Sequence, residues 1–358
     1  MLQAPCGHRI PQPAVCESCA RQAARRRARV RGVLIAVVLV LVCGGVALAL
    51  SLREPAPPPS VPVDAGDALE GFKRERLAQA PCDHDANFDL VDYLIAQKRF
   101  DVAATAAAAA VKRCGPLGQM RWRLSFSLTQ LHRWREATAV TSELIAEKPQ
   151  DTDFWWWRGE DHAGGNQLEL ALVDFRQSIA NSRSPRQAEF ALVKLDVLAD
   201  EPPQRCERAR AWRYYARSLG GYYTREERAG DAACDARSRG RAKLPLDGSL
   251  TAKLGSIKAD LAFDPRAGTT ILSRELAKRA GITPTAGDAT TTLWAQQVVI
   301  SGVPAHAPQI TVGGATAEDV AVLVTDDPAA GDGVIGLSFL WHFDIATDAK
   351  HVTISAPH

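Results

Sequence analysis

The stretch FDPRAGTTILS, residues 263–273, decides how the C-terminal third of this chain is interpreted. Apolar and polar residues alternate over residues 250–254 and again over 257–263, with a Gly-Ser dipeptide between the two runs. This pattern predicts a β-hairpin with a two-residue turn. Asp264 then stands at the start of a loop, directly after the second strand.

Short alternating segments continue to the C-terminus. They predict strands at residues 298–300, 309–312, 320–325, 343–345 and 351–355. One helix is expected over residues 273–280, because Ser273 can cap its start and Gly281 can end it. Residues 245–358 are therefore predicted to form a small, mostly β domain.

A second stretch, GVIGLSFL at residues 333–340, completes a pattern that begins at Asp264. Together the two stretches resemble a retropepsin-type aspartic protease domain of the single-lobe bacterial kind. In that family an apolar strand delivers an Asp-Thr/Ser-Gly-Ala loop, and a later Gly-containing element packs behind it. The resemblance implies a β-barrel in which Asp264 is catalytic. The supporting loop residues would be Ala267, Gly268, Thr269 and Gly336.

The resemblance also implies a homodimer, because one lobe carries one catalytic carboxylate. Two Asp264 carboxylates within about 3 Å of each other would share a proton. One would activate a water molecule while its partner protonates the carbonyl of a protein or peptide substrate. The implied activity is that of an aspartic endopeptidase that needs no metal in this domain.

Two positions of the loop depart from the family pattern. Pro265 stands where the family has Thr or Ser, and proline offers neither a hydroxyl nor a backbone N–H. Arg266 stands where the family has Gly, and it adds bulk and charge to a tight loop. Two functions therefore remain open: an active endopeptidase, or a pseudo-protease that binds extended peptides. Residues 287–294 would be the flap that covers the ligand in either case.

Residues 71–219 have a helical pattern, with breaks at Gly115-Pro116, Lys148-Pro149 and Ser184-Pro185 that recur about every 34 residues. The segment resembles tetratricopeptide (TPR) repeats, which stack helix pairs into an α-solenoid. The matching residues are Leu90, Phe100, Ala103, Ala107, Leu124, Ser125, Trp134, Ala137, Trp155, Gly159, Ala171 and Phe175, and a looser fourth pair covers residues 185–199 and 204–219. Such stacks usually bind proteins. We expect the Trp155-Trp156-Trp157 run to pack in the repeats rather than clamp a ligand.

Residues 33–52 contain twenty residues without a charge, enough to span a bilayer as one helix. Arginines crowd the N-terminal side of this segment, which predicts a cytoplasmic N-terminus. The rest of the chain would then lie in the periplasm or outside the cell, anchored to a bacterial inner membrane. A cleaved signal peptide is the competing interpretation. The Pro-rich residues 53–70 are expected to form an extended linker, and residues 220–244 a charged one.

Cys43 lies within the predicted membrane segment, and the other seven cysteines fall on the two sides of it. The four that follow it predict disulfides, with Cys82–Cys114 and Cys206–Cys234 preferred among three connectivities and free thiols as the alternative. In the N-terminal tip, residues 1–32, Cys6, His8, Cys16 and Cys19 form the ligand set of a zinc site and resemble a truncated B-box-like finger. The alternative is that these cysteines are reduced and bind no metal.

Charge excludes one class of partner. The formal net charge is +2, of which residues 1–32 contribute +6, so the remainder carries −4. The main body is therefore not expected to bind nucleic acid. The sequence predicts a multidomain α and β protein, with a membrane helix, a TPR-like domain and a retropepsin-like domain.

Overall fold

The structure is a computed structural model that describes residues 2–3, 9–10, 64–115, 117–198, 202–218, 234–246, 248–285, 289–348 and 350–357. The chain divides into two compact units, residues 1–71 and 72–358. In the first unit, β1 (Leu2–Gln3) pairs antiparallel with β2 (Arg9–Ile10). The predicted membrane segment and the four candidate zinc ligands lie outside the described residues. None of the helices within those ranges is both long and apolar enough to cross a membrane.

Nine helices are described between residues 64 and 218. They are α1 (Asp64–Gln79), α2 (His84–Ala96), α3 (Phe100–Cys114), α4 (Gly118–Gln130), α5 (Trp134–Glu147), α6 (Thr152–Gly164), α7 (Leu168–Asn181), α8 (Pro185–Leu198) and α9 (Pro202–Ser218). Helix α1 begins inside the range predicted as a linker, because the prolines stop at residue 62 and helix-forming residues follow. Helices α2 to α9 form the four predicted pairs.

A structural period accompanies the sequence period of the repeats. Lys98, His132 and Asn166 have φ angles of 57°, 56° and 58°, and each lies in the turn between the two helices of a pair. The three positions are 34 residues apart, so the same left-handed turn recurs in each of the first three repeats. The repeat pattern requires a small residue at position 159, because a Cβ on Gly159 would lie 2.6 Å from Phe175 Cε1.

Both predicted disulfides are confirmed. Cys82–Cys114 joins the start of α2 to the end of α3. Cys206–Cys234 joins α9 to the segment that enters the β domain. Each bond closes a loop of the chain and so reduces the entropy of the unfolded state.

The described part of the β domain contains two sheets, two short α-helices and one 3-10 helix, Pro328–Ala330. Its elements are β3 (Ser238–Arg239), β4 (Arg241–Pro245), β5 (Ser249–Leu254), β6 (Ile257–Phe263), β7 (Thr270–Ser273), α10 (Arg274–Arg279), β8 (Thr291–Ala295), β9 (Val298–Val312), β10 (Ala315–Thr325), β11 (Gly333–Ile335), α11 (Leu337–Leu340), β12 (Asp344–Thr347) and β13 (His351–Ser355). The larger sheet has the order β3-β10-β7-β11-β6-β5-β9-β8, and β9 also pairs with β10. Strands β12, β13 and β4 form the smaller sheet.

The predicted hairpin and α10 agree with the structure, but other boundaries differ. Two strands predicted at residues 298–300 and 309–312 are parts of the single strand β9. Strand β3 begins at Ser238, inside the predicted charged linker, and Arg239 forms an ion pair with Glu318 of β10. The charges there belong to an exposed edge of the sheet, which is why the sequence resembles a linker.

Helix α7 connects the two domains. Every residue from Leu170 to Ile179 is buried. On one side, Phe175 and Ile179 pack with the neighbouring repeat helices, and on another Val173 packs among residues of the β domain. A helix buried on all sides is unusual in a stack of helix pairs, where one face of each helix is normally solvated. The β domain therefore takes the place of solvent around α7.

Candidate functional site

The loop that carries Asp264 starts where two parallel strands lie side by side. Strand β11 pairs with β6 so that Ile335 is opposite Phe263. The Asp264 N–H donates to the Ile335 carbonyl at 3.1 Å, and the Asp264 carbonyl accepts from the Ala267 N–H at 3.1 Å. The loop is thus a tight turn that is fixed at its base by the GVIGLSFL element.

A buried network holds the loop from behind. Ser338 Oγ accepts from the Thr270 N–H at 2.8 Å and donates to the Ala321 carbonyl at 2.7 Å. The Gly336 N–H donates to Thr270 Oγ1 at 3.1 Å. The Leu337 N–H donates to the Ala267 carbonyl at 2.8 Å. Residues 333–340 therefore support the Asp264 loop as the sequence resemblance implies.

Both carboxylate oxygens of Asp264 accept hydrogen bonds from backbone N–H groups. Oδ1 accepts from Arg266 N at 3.0 Å, across the turn that Pro265 begins. Oδ2 accepts from Gln296 N at 2.7 Å, at the tip of the β8–β9 hairpin. The Arg266 side chain is exposed, with its guanidinium carbon 5.8 Å from the ring centre of Trp294 in the same hairpin. Asp264 thus fastens the hairpin tip to the loop.

The tip of the β8–β9 hairpin lies later in the chain than the predicted flap, residues 287–294. The tip is Gln296-Gln297, both with positive φ, whereas residues 291–294 of the predicted flap form strand β8. Two left-handed residues fit a tight two-residue hairpin turn, but Gln is not a usual residue there. Sequence reasoning therefore missed the tip and selected the Thr-rich strand before it.

Helices α6 and α7 hold the hairpin along its length. The guanidinium of Arg158 is buried, donates to both carboxylate oxygens of Asp174 at 2.6 and 3.0 Å, and donates to the Thr292 carbonyl at 3.0 Å. Trp294 packs against Trp155 and Ile145 of the repeats. This hairpin is a fixed part of the domain junction.

Helix α7 also contacts the Asp264 loop directly. Gln177 Nε2 donates to the Arg266 carbonyl at 2.9 Å, and Gln177 Oε1 accepts from the Gly268 N–H at 2.9 Å. A Cβ at Gly268 would lie 2.4 Å from the Gln177 backbone nitrogen, so glycine is needed for this close approach. Val173, one turn earlier, packs with Ala267 between the loop and the hairpin. The primary amide of Gln177 offers the loop the same donor and acceptor that a peptide backbone would offer.

The structure thus brings together all five residues predicted for the protease-like site. They are Asp264, Ala267, Gly268, Thr269 and Gly336. Ala267, Gly268 and Thr269 are buried, and Thr269 Oγ1 has no hydrogen-bond partner among the described residues. Sequence reasoning missed Gln177 and Gln296, because glutamines in a helix and a turn carry no signal of their own. The zinc ligand set stays a prediction, and the described part of the chain holds no group of three His, Cys, Asp or Glu residues suited to a metal.

An ion-pair cluster links α7 to the long strands of the β domain. His306 of β9 hydrogen-bonds Asp319 of β10 through Nδ1 at 2.9 Å, and its Nε2 lies 3.7 Å from Glu169 of α7. The hydrogen bond to Asp319, followed by that to Glu169, raises the pKa of His306 to about 9. The bond from His306 lowers the pKa of each carboxyl group. At neutral pH the imidazolium therefore lies between two carboxylates.

A second candidate site is an aromatic surface on the first helices of the last three pairs. The aromatic surface consists of Trp122, Phe126, Trp156, Trp157 and Phe190. Neighbouring ring centres are 4.7 to 5.9 Å apart, and the rings form one continuous series from α4 through α6 to α8. Phe190 is 59% exposed and the others are half-buried, whereas Trp155 is fully buried. A cleft of about 250 Å³ opens beside Trp122.

Comparison with protein families gives one match to the β domain. A family model described as aspartyl protease matches residues 250–339, from strand β5 to helix α11. The matched range contains the Asp264 loop, the β8–β9 hairpin and the supporting network. The predicted resemblance to an aspartic protease domain is confirmed over this range. Comparison with curated proteins finds no matching relative.

Three solved structures are similar to parts of this chain. A MamA RS-1 ArsTM double mutant is 16% identical with a TM-score of 0.36, over 43% of this chain and 86% of that one. A thermophilic TPR protein of Thermus thermophilus is 15% identical with a TM-score of 0.34, over 47% and 90%. A retropepsin-like aspartic protease from Rickettsia conorii is 15% identical with a TM-score of 0.26, over 32% and 98%. TPR-like helical repeats are followed by an aspartyl-protease-like domain in this chain.

Proposed function

We propose that this protein is a protein-binding scaffold whose aspartyl-protease-like domain does not cleave peptide bonds. One observation carries the proposal: the loop that bears Asp264 is attached to helix α7 of its own chain through Gln177. An aspartic protease dyad needs two such loops in direct contact, so that the two carboxylates share a proton.

The surroundings of Asp264 oppose the formation of a dyad. Residues Ala267 to Thr269 are buried beneath α7, and a second loop could reach them only if α7 moved away. Both oxygens of the Asp264 carboxylate already accept backbone hydrogen bonds. Pro265 supplies no hydroxyl to lock two loops together. The competing function is a homodimeric endopeptidase, which is favoured by the retained Asp264 and by the family match over residues 250–339.

The aromatic surface is the proposed binding face. Large aromatic rings dominate the binding energy of protein interfaces, because they bury much area at a small cost in conformational entropy. On α8 the apolar surface continues with Val193 and Val197, which are 47% and 67% exposed. We propose that a protein or peptide partner with apolar side chains docks along this surface.

The scaffold is proposed to act at a membrane. Residues 33–52 would anchor it to a bacterial inner membrane, with the repeats and the β domain on the periplasmic side and residues 1–32 in the cytoplasm. In the reducing cytoplasm Cys6, His8, Cys16 and Cys19 would hold a structural zinc ion. Metal analysis of a peptide of residues 1–32, with and without Cys16→Ser, tests the zinc site. A metal-free wild-type peptide under reducing conditions would contradict it.

A cleavage assay separates the scaffold from the endopeptidase. The full chain, in a neutral detergent, is incubated from acid to neutral pH with a reduced and alkylated protein, beside Asp264→Asn. We expect the wild type and Asp264→Asn to show the same background level of substrate cleavage, because Asp264 holds the β8–β9 hairpin and does not activate a water molecule. Cleavage by the wild type that is lost in Asp264→Asn would establish the endopeptidase instead.

A binding assay tests the aromatic surface. Peptides selected from a random displayed library against the full chain are measured against Trp157→Ala and against Phe72→Ala, a matched control that removes a 65% exposed ring outside the surface. We expect Trp157→Ala to weaken binding about 30-fold, the effect of losing an interface hot spot of about 2 kcal/mol. Equal affinities for the two variants would contradict the assignment.

A further inference from the structure

A group of buried basic side chains lies where α9 meets the β domain. We name it the basic junction and define it by Arg210, Arg213 and His342. Their exposed fractions are 4%, 3% and 1%. Arg213 Nη2 donates to the carbonyl of Trp341, next to His342, at 3.3 Å. Three basic side chains are therefore almost completely removed from solvent at one contact between the domains.

The carboxylates around the basic junction are already paired. Both oxygens of Glu207 accept from Arg176, at 2.5 and 2.6 Å. Asp319 accepts from Arg237 at 2.8 Å and pairs with His306. A third carboxylate, Asp235, accepts from Arg213 Nη1, and Asp344 pairs with Arg217. Within the described ranges, Arg210 is left without a carboxylate of its own.

Three buried nitrogen atoms of the basic junction have no hydrogen-bond partner among the described residues. They are Arg210 Nη2, Arg213 Nε and His342 Nδ1. Arg210 and Arg213 are three residues apart on α9 and therefore lie on the same face of that helix. Burial and then the charges of Arg210, Arg213 and Arg237 hold the pKa of His342 well below its ordinary value. Burial also lowers the pKa of Arg210 to about 10, so Arg210 stays charged at neutral pH.

Unpaired buried groups of this kind are costly. A buried donor without a partner loses its hydrogen bond to water and gains none in return, and a buried charge without a counter-ion is costlier still. A buried water molecule could satisfy the donors. Water would leave Arg210 to share Glu207 and Asp319 with the cations already bonded to them, whereas a small anion would satisfy the donors and add a negative charge beside Arg210.

We propose that the basic junction binds a small inorganic anion of the size of chloride, with Arg210 Nη2 and Arg213 Nε as donors. The anion would join α9, and with it the repeats, to the end of α11 in the β domain. This site does not depend on the proposed scaffold function. The stability of the junction would be linked to the concentration of the anion, because only the folded protein holds the donors together.

Thermal unfolding of the full chain in sodium chloride and in sodium gluconate of equal ionic strength tests the proposal. Gluconate is too large for the site, so we expect a melting temperature at least about 2 °C higher in chloride. Arg210→Met should lose this difference. The matched control Arg205→Met removes an exposed arginine from the same helix and should keep it. The same chloride effect in both variants, or none in the wild type, would overturn the proposal.

A second measurement does not rely on a variant that must fold. Crystals of the wild-type chain grown in sodium bromide should give an anomalous peak within hydrogen-bonding distance of Arg210 Nη2. A water molecule at that position, or no peak, would overturn the proposal even if Arg210→Met proved unstable.

Discussion

The two halves of the protease-like pattern differ in where their hydrogen bonds go. Residues 333–340 bond within the β domain, through Ser338 to Thr270 and Ala321. The loop at Asp264 also bonds outward, to the hairpin tip at Gln296 and to Gln177 of α7. Residues 333–340 thus make the supporting contacts that the resemblance implies. The Asp264 loop, which carries the catalytic residue in an active protease, here forms a contact with helix α7 of the repeat domain.

The largest effect is expected in the supporting half, from Ser338→Ala. The change leaves the buried Thr270 N–H and Ala321 carbonyl without their partner. We expect the free energy of unfolding to fall by about 2–4 kcal/mol, measured by urea denaturation. Ser301→Ala, at an exposed position of β9, should change it by less than about 0.5 kcal/mol. Equal effects of the two changes would show that the supporting network is not a source of stability.

A smaller, pH-dependent effect is expected at the link between α7 and strands β9 and β10. Because the pKa of His306 is raised to about 9, its contribution is fully present below about pH 6.5 and is lost as the pH rises through about 9. His306→Gln should therefore cost about 1–3 kcal/mol at pH 6.5 and much less at pH 10. Urea denaturation at both pH values measures this difference. A cost of His306→Gln that is constant with pH would contradict the charged pair.

The smallest effect is expected from Asp264→Ala. It removes the acceptor of the Gln296 and Arg266 N–H groups, which are near solvent and can bond to water instead. We expect a loss of about 1 kcal/mol together with faster amide exchange at the hairpin tip. Asp260→Ala, on the exposed face of β6, should leave exchange at the tip unchanged. Unaltered exchange in Asp264→Ala would mean that Asp264 does not fasten the hairpin.

The sequence predicts the elements whose patterns are local. The repeat period and the Gly255 hairpin turn were accessible, because each depends on neighbouring residues or on a fixed spacing. The disulfide pairing was only a preference among three connectivities, which the structure confirms. The contact of Gln177 with Gly268 was not accessible, since it joins residues 91 positions apart and uses a side chain that resembles ordinary helix surface. The Gln296-Gln297 tip was missed for a different reason: its left-handed backbone is imposed by the strands rather than by the residue types.

Amide hydrogen exchange of the peptide at residues 264–272 tests most directly whether α7 covers the Asp264 loop. With the Gly268 N–H bonded to Gln177 Oε1 in a buried contact, exchange in the full wild-type chain should be slow. Gln177→Met keeps a similar side-chain volume but removes both hydrogen bonds from Gln177 to the Asp264 loop. It should speed amide exchange in this peptide about tenfold or more and leave the exchange of β9 and β10 unchanged. Rapid exchange in the wild type, equal to that of Gln177→Met, would contradict the account and leave the loop open to a second chain.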